Sequence, residues 1–327
     1  MRILVAQPTD PAGLERAREL GAVLGAVLDV RDPIRPGTRL AGLADVEVLF
    51  ADHCPANVED LGALRWIQLG SAGYQQLAGL PLPPAVRVSN ASGVNDIPIA
   101  EWAVLMMLTF VRRFPDLLAE QAAAKYVRVP RYQAELRGRR VGVFGYGSIG
   151  REVTRLSRAL GLEVWALGRG TPRGERYAVP PPAGQPAPAP DRWFGPGELR
   201  QFLSDLDFLV LTAPLTAETT GRFGATELSW LPRHAVLLNP ARAHLVDEAA
   251  LLAALRDGTI AGAALDTHYR EPMPADDPFW TAPNTVVTPH VSGSTGSTHF
   301  VPRLWALFTD NLARFTAGAP LLNEITL

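Results

Sequence analysis

The 327-residue chain has one cysteine, Cys54, so no disulfide can form within it and a cysteine-based zinc site is not expected. It has one lysine, Lys125, among 31 basic residues, a scarcity that carries no functional implication by itself. Charge of one sign is missing too. A net charge of −2 leaves no polycationic footprint for nucleic acid or anionic lipid. The longest apolar run, 102–111, has about half of the ~20 residues that span a bilayer, and the opening stretch 1–8 is too short for a signal peptide. A soluble, cytoplasmic protein is therefore expected. Glycine and proline number 29 each, below the roughly 25–30% that marks a low-complexity chain, and collagen and coiled-coil classes fall away with it.

What remains is a globular composition, 47% hydrophobic and 20% charged, in a chain long enough for about two domains. Strand-like and helix-like stretches alternate, which predicts an α/β protein with parallel sheets. Short buried strands are expected at 3–7, 46–51, 64–69 and 86–89, with a helix at 12–20 and a long buried helix from about Pro98 to Val111, ended or bent by Arg112, Arg113 and Pro115. A second series begins at Arg140, with strands at 141–144, 163–167, 208–212, 235–238, 261–264 and 285–287. Helices are expected at 149–160, at 248–256 and, returning to cover another domain, at 299–315. The stretch 171–197 holds eight prolines and reads as a long surface loop, because each proline removes a backbone donor and fixes φ.

Gly145-Tyr146-Gly147-Ser148-Ile149-Gly150 sits between a strand and a helix. In that setting Gly145 makes a tight turn, Gly147 admits a pyrophosphate to the backbone, and Gly150 lets helix and strand pack closely. The phosphates would lie at the positive end of the helix, near Ser148 and Ile149. The second strand ends Gly168-Arg169-Gly170-Thr171, with glycine where an acidic residue would hold the ribose hydroxyls. A guanidinium can instead bind a 2′-phosphate, so Arg169, with Gly168 and Thr171 beside it, favours NADP(H), with NAD(H) as the alternative.

Three further segments follow: Asn239-Pro240-Ala241-Arg242, Asp266-Thr267-His268-Tyr269-Arg270-Glu271-Pro272, and Thr288-Pro289-His290-Val291-Ser292-Gly293. Together with Gly70-Ser71-Ala72-Gly73, Ala100-Glu101 and the 213–219 run, their order and spacing resemble the D-isomer-specific 2-hydroxyacid dehydrogenases over nearly the whole chain. The resemblance implies that Arg242, Glu271 and His290 are catalytic. Arg242 would hold the keto acid, His290 would exchange a proton with its oxygen, and Glu271 would stabilise the imidazolium. By the same carry-over, Ser71, Ala72 and Gly73 would meet the substrate carboxylate and Asp266 the nicotinamide carboxamide. Ala213, Pro214 and Thr219 would line the adenosine side, and Ala241 and Gly293 the cofactor cleft. No metal is implied, and no histidine or carboxylate grouping has metal-ligand spacing.

The implied fold is two Rossmann/flavodoxin-like domains with parallel sheets and the active site in the interdomain cleft. The substrate domain would be 1–97 plus 297–327, and the dinucleotide domain 98–296, with a homodimer formed through the helix near 102–111. Within the family the likeness is nearest to NADPH-dependent glyoxylate/hydroxypyruvate reductases. The alternatives are NAD-dependent phosphoglycerate, lactate or formate dehydrogenases, or a dinucleotide-sensing binding protein. Ala243 stands where glycine is usual, Tyr74 and Gln75 where a small aliphatic and an acidic residue are commoner, and Thr267-His268-Tyr269 interrupts a usual aliphatic-aromatic pair. Tyr74 would shape the substrate pocket, and His268 is a second titratable group, expected to pack.

Overall fold

A computed structural model describes residues 1–132, 134–170, 176–179 and 189–325. The chain divides into two compact units, one built mainly from Met1–Asn95 and the returning segment from Thr295, the other from Asp96 onward to Ser294.

The first unit opens with β1 (Arg2–Ala6), whose Ile3, Leu4 and Val5 are fully buried, as a strand covered on both faces requires. Helix α1 (Pro11–Val23) follows, with proline in its first turn and the Asp10 carboxylate accepting the Gly13 N–H at 2.7 Å. Strands β2 (Val27–Val30), β3 (Val46–Ala51), β4 (Trp66–Gln68) and β5 (Arg87–Ser89) complete the parallel part. The spatial order 2-1-3-4-5 is that of a flavodoxin-like sheet, with its switch point between β1 and β3.

The second unit starts with α2 (Asp96–Val111), two residues earlier than the sequence suggests. Arg113 takes a left-handed φ of 48°, and α3 (Phe114–Ala122) begins directly after it. The sheet then builds from β6 (Arg140–Phe144), with α4 (Ser148–Ala159), β7 (Glu163–Leu167) and β8 (Arg192–Phe194). Next come α5 (Leu199–Leu203), β9 (Phe208–Leu211), α6 (Ala225–Ser229), β10 (Val236–Asn239), α7 (Glu248–Arg256), β11 (Gly262–Leu265) and β12 (Thr285–Val287). All seven strands are parallel, in the order 12-11-10-9-6-7-8, so the doubly wound switch falls between β6 and β9.

The chain returns to the first unit as α8 (Phe300–Thr316) and β13 (Glu324–Ile325), the latter pairing antiparallel with β5. Phe308 stacks on Phe50 at 4.2 Å, and Trp305 and Phe308 are fully buried, contributing roughly 1.5–3 kcal/mol each. Gly13 is required where α1 meets α8, because a Cβ there would lie 2.4 Å from the Cβ of Trp305. A buried polar network fixes the register: Asn311 donates to Gln68 at 2.9 Å, and Ser89 donates to the same oxygen at 2.7 Å.

Two expectations need correction. The proline-rich stretch is not wholly loop, since β8 pairs Trp193 with Ala166 of β7 near its end, where Pro190 is already passed. Nor does 98–296 form one body. Residues 176–179 belong to the first unit, where the Tyr177 N–H donates to Asn323 at 3.1 Å. The Tyr177 carbonyl there occupies the space a Cβ on Gly93 would need, and Gly93 has φ +95°.

Candidate active site

The glycine turn at the end of β6 has the shape its spacing predicts. Gly145 has φ +94°, and a Cβ on it would lie 2.6 Å from the backbone of Ala213. Both conditions demand glycine. Gly150 packs against the Gly145 carbonyl, which a Cβ would approach to 2.5 Å. Gly147 differs, because a Cβ on it would meet nothing within 4 Å, and as N-cap of α4 it offers no side chain to the first turn. The first-turn N–H groups at Ser148, Ile149 and Gly150 thus receive no side-chain cap at the positive end of a 12-residue helix, a cradle that fits an anionic pyrophosphate.

At the end of β7, a Cβ on Gly168 would touch the Trp193 ring at 3.5 Å and the Tyr146 nitrogen at 3.6 Å, both ordinary contacts. Space does not exclude a Cβ from this position, so close packing does not demand the glycine. The Arg169 guanidinium is 54% exposed and lies 3.8 Å from Glu218. Thr171, placed beside it by the sequence, lies outside the described residues. Ala213 is buried against the Gly145 turn. The Thr219 hydroxyl donates to the carbonyl of exposed Pro214 at 2.7 Å and accepts the Thr216 N–H at 2.8 Å, which closes the loop after β9.

The acid–base set stands on the ends of β10, β11 and β12. Asn239, buried at the end of β10, donates to the Arg242 carbonyl at 2.9 Å and accepts the Ala241 N–H at 3.1 Å, holding the turn that carries the arginine. Burial presses the Arg242 guanidinium below its ordinary pKa, against the opposing pull of the Glu271 charge. Ala243 sits buried in the following turn without a positive φ, so the backbone there has no need of glycine and the departure is accommodated.

His290 Nδ1 and Glu271 Oε2 lie 2.9 Å apart. A carboxylate only accepts, so Nδ1 carries the hydrogen and Nε2 is left for a reacting oxygen. Partial burial pushes the Glu271 carboxyl up, but the hydrogen bonds from His290 and from the His268 N–H outweigh it and hold the carboxyl below its ordinary range. His290 itself has φ +54°, a left-handed position for a non-glycine residue.

Asp266 holds that turn. Its fully buried carboxylate accepts from the Thr288 hydroxyl at 2.6 Å and from the N–H groups of Val291 and Ser292, each at 2.9 Å. These three donors give Asp266 a structural role in the turn, beside the carboxamide contact that the family resemblance implies for it. Gly293 follows directly and is partly exposed, as is Ala241.

In the first unit, the loop after β4 turns its carbonyls inward. Ser71 O accepts the Ala91 N–H at 2.8 Å, Ala72 O accepts from Asn90 at 2.8 Å, and Gly73 O accepts from the Ser71 hydroxyl at 2.9 Å. Among the described residues no acceptor takes the N–H groups of Ala72 and Gly73. Gln76 braces the loop from Asp52 O and Ser71 Oγ. Tyr74, expected to shape a pocket, packs in part against the core around Leu69 and Leu77. Burial pushes the Cys54 thiol up to about 12, which leaves it inert. His234 lies 3.6 Å from Asp207, and His244 lies edge-on to Tyr269. The sequence missed Asn239, Asn90, Gln76 and Thr288 as supports. Only Asn239 carried a signal, as the residue ending a buried strand before proline.

Fold and site together define the class: a doubly wound dinucleotide-binding protein with an arginine, glutamate and histidine set on its later strand ends. The chain belongs to the D-isomer specific 2-hydroxyacid dehydrogenase family, whose NAD binding domain matches residues 104–292. It is 32% identical over 228 residues to glyoxylate/hydroxypyruvate reductase A of Klebsiella pneumoniae, covering 69% of this chain and 66% of that one. It is 30% identical over 245 residues to D-3-phosphoglycerate dehydrogenase of Archaeoglobus fulgidus, covering 73% of this chain and 43% of that one. The chain thus spans less than two thirds of either curated relative. Over 99% of its length it superposes, with a TM-score of 0.78 and 25% identity, on 98% of an NADPH-dependent glyoxylate/hydroxypyruvate reductase from Sinorhizobium meliloti, solved with NADP and sulfate. Among the described residues no helix is long and apolar enough to cross a membrane, and no three histidine, cysteine or acidic side chains cluster as metal ligands.

Proposed function

We propose that this protein reduces a small 2-keto acid, of the glyoxylate or hydroxypyruvate kind, to the D-2-hydroxy acid with NADPH. The observation that carries the proposal is the 2.9 Å contact between His290 and Glu271, on strand ends shared with Arg242 and with the glycine cradle. The bound dinucleotide supplies the hydride. The uncapped first turn of α4, at Gly147, Ser148, Ile149 and Gly150, would hold its pyrophosphate. Ala213, Pro214 and Thr219 would flank the adenosine, with Ala241 and Gly293 nearer the nicotinamide.

Arg169 would meet the 2′-phosphate. Its contact with Glu218 is long and exposed, worth under about 1 kcal/mol. Arg242 offers a planar fork to the substrate carboxylate and carbonyl, desolvated enough that its hydrogen bonds are strong. In the first unit the Ala72 and Gly73 N–H groups, with Ser71 bracing the turn, would receive a carboxylate. As the carbonyl oxygen gains charge, Nε2 of His290 donates its proton, and the Glu271 carboxylate balances the imidazolium in the ground state.

The relatives' names, one of them an NADPH-dependent reductase, support this reading. Leu105, Phe114 and Leu118, each at least half exposed on α2 and α3, support a homodimer through those helices. The lone, partly buried thiol suits a reducing cytoplasm. The test compares two variants. Arg169→Ala should raise KM for NADPH about tenfold, the worth of one charge-assisted hydrogen bond, while leaving NADH unaffected. His290→Ala should lower kcat at least about a hundredfold with unchanged NADPH affinity. Equal losses with both cofactors, or unimpaired turnover without His290, would refute the respective roles.

A further inference from the structure

His268 stands in the loop between Asp266 and Glu271, where its main chain and its ring do different things. Its N–H donates to Glu271 Oε1 at 2.9 Å, which fixes one carboxylate oxygen while the other faces His290. Its ring Nε2 lies 2.9 Å from the carbonyl oxygen of Thr288. A carbonyl only accepts, so Nε2 carries the hydrogen.

That carbonyl also receives the His290 N–H at 2.9 Å, the contact that closes the left-handed turn at His290. Both lone pairs of the oxygen are thereby filled. The Thr288 side chain is fixed as well, donating to Asp266 at 2.6 Å and accepting from the Trp102 indole at 3.1 Å. His268 thus clasps the two segments that carry the glutamate and the histidine. It ties Glu271 through the backbone and the turn before His290 through the ring. The other charged and titratable groups nearby are Glu271, His290 and Asp266, with Asp277 paired to Arg270 at 2.7 Å.

We propose that His268 is a positioning residue for the reaction, holding the His290 turn in register with Glu271 through its ring hydrogen bond to Thr288. In that role it acts through Glu271 and the turn rather than on the reacting atoms. The inference rests on the reading of His290 and Glu271 as the acid–base pair. Loss of the ring donor leaves one lone pair of the Thr288 oxygen unfilled and loosens a turn already in a disfavoured conformation. The His290–Glu271 contact then lengthens, and the imidazolium that donates the proton is less well stabilised.

The experiment compares His268→Phe, which keeps an aromatic ring without a donor, with His268→Gln, whose amide nitrogen reaches about as far as Nε2. His268→Leu repeats the loss with less rigid bulk should the phenyl ring disturb folding. With H268F, kcat for keto-acid reduction should fall about three- to tenfold, the rate equivalent of one hydrogen bond. KM for NADPH should stay constant, and the alkaline limb of the pH profile should move to lower pH. H268Q should restore both rate and profile. Independently of turnover, the downfield proton signal of the hydrogen-bonded His290 Nδ1–H should be present in the unsubstituted protein and in H268Q, and weakened or lost in H268F. Unchanged kinetics and an unchanged signal in H268F, or equal losses in H268F and H268Q, would overturn the proposal. An unsubstituted protein without turnover but with these signals would overturn the functional reading and leave the positioning role standing.

Discussion

The first strand of each sheet does the same thing, a buried parallel strand running into a helix at the edge of a topological switch point, yet the two turns are chemically opposite. After β1 the helix start carries Asp10, whose carboxylate takes the Gly13 N–H, and Pro11, which has no N–H to offer. After β6 it carries Gly147, which offers no side chain, and a Cβ there would meet only open space. A helix start that is capped by its own carboxylate has already bound an anion. One left uncapped keeps its N–H groups for an anion from outside. Sheet topology alone therefore does not make a dinucleotide site, and the caps decide which of two related units can hold one.

Exchanging the caps breaks the comparison most severely. Gly147→Asp should cap α4 and place a negative charge against the pyrophosphate, raising the Kd for NADPH about a hundredfold, roughly 3 kcal/mol, with no loss in Tm. Titration of cofactor fluorescence checks it, and unchanged affinity would show that the cradle lies elsewhere. The reciprocal change, Asp10→Ala, should cost about 1 kcal/mol of folding stability and leave cofactor affinity untouched. Denaturant unfolding, read beside the same titration, separates the two effects.

The smallest effect concerns acid. Glu324 is held below its ordinary pKa by its hydrogen bond from Arg87, against burial that pushes it up. In Glu271 burial is the largest single influence and pushes up, and the hydrogen bonds from His290 and from the His268 N–H together outweigh it. Carboxyls depressed in the folded state contribute stability that is present above their unfolded value near 4.5 and is lost as pH falls below it through the folded value. Stability should therefore drop below about pH 4.5, and Glu324→Gln and Glu271→Gln should each flatten that drop slightly. A slope on the alkaline side of neutrality instead would contradict the assignment.

Much of this was legible in the chain. The β6 turn could be read because glycine is demanded there by local geometry, a left-handed φ at Gly145 and close packing at Gly150. Helix α7 was legible to the residue, since Asp247 and the apolar spacing act locally. What was not legible depends on partners far away in sequence. The β8 strand exists only through pairing with β7, and β13 only through two residues on β5. The sharp reversal from α2 into α3 rests on a left-handed arginine, Arg113, which carries no glycine signal. In the site, Arg242, Glu271 and His290 were recognisable by motif. The roles of Asp266 and His268 became visible only once the Thr288 turn was folded against them.

The most direct test of the account is the loss of reduced-nicotinamide absorbance when the purified protein meets glyoxylate or hydroxypyruvate, with NADPH and NADH compared side by side. Rapid oxidation of NADPH and slow oxidation of NADH are expected. Tight NADPH binding with no oxidation of either cofactor across a panel of 2-keto acids would contradict this expectation.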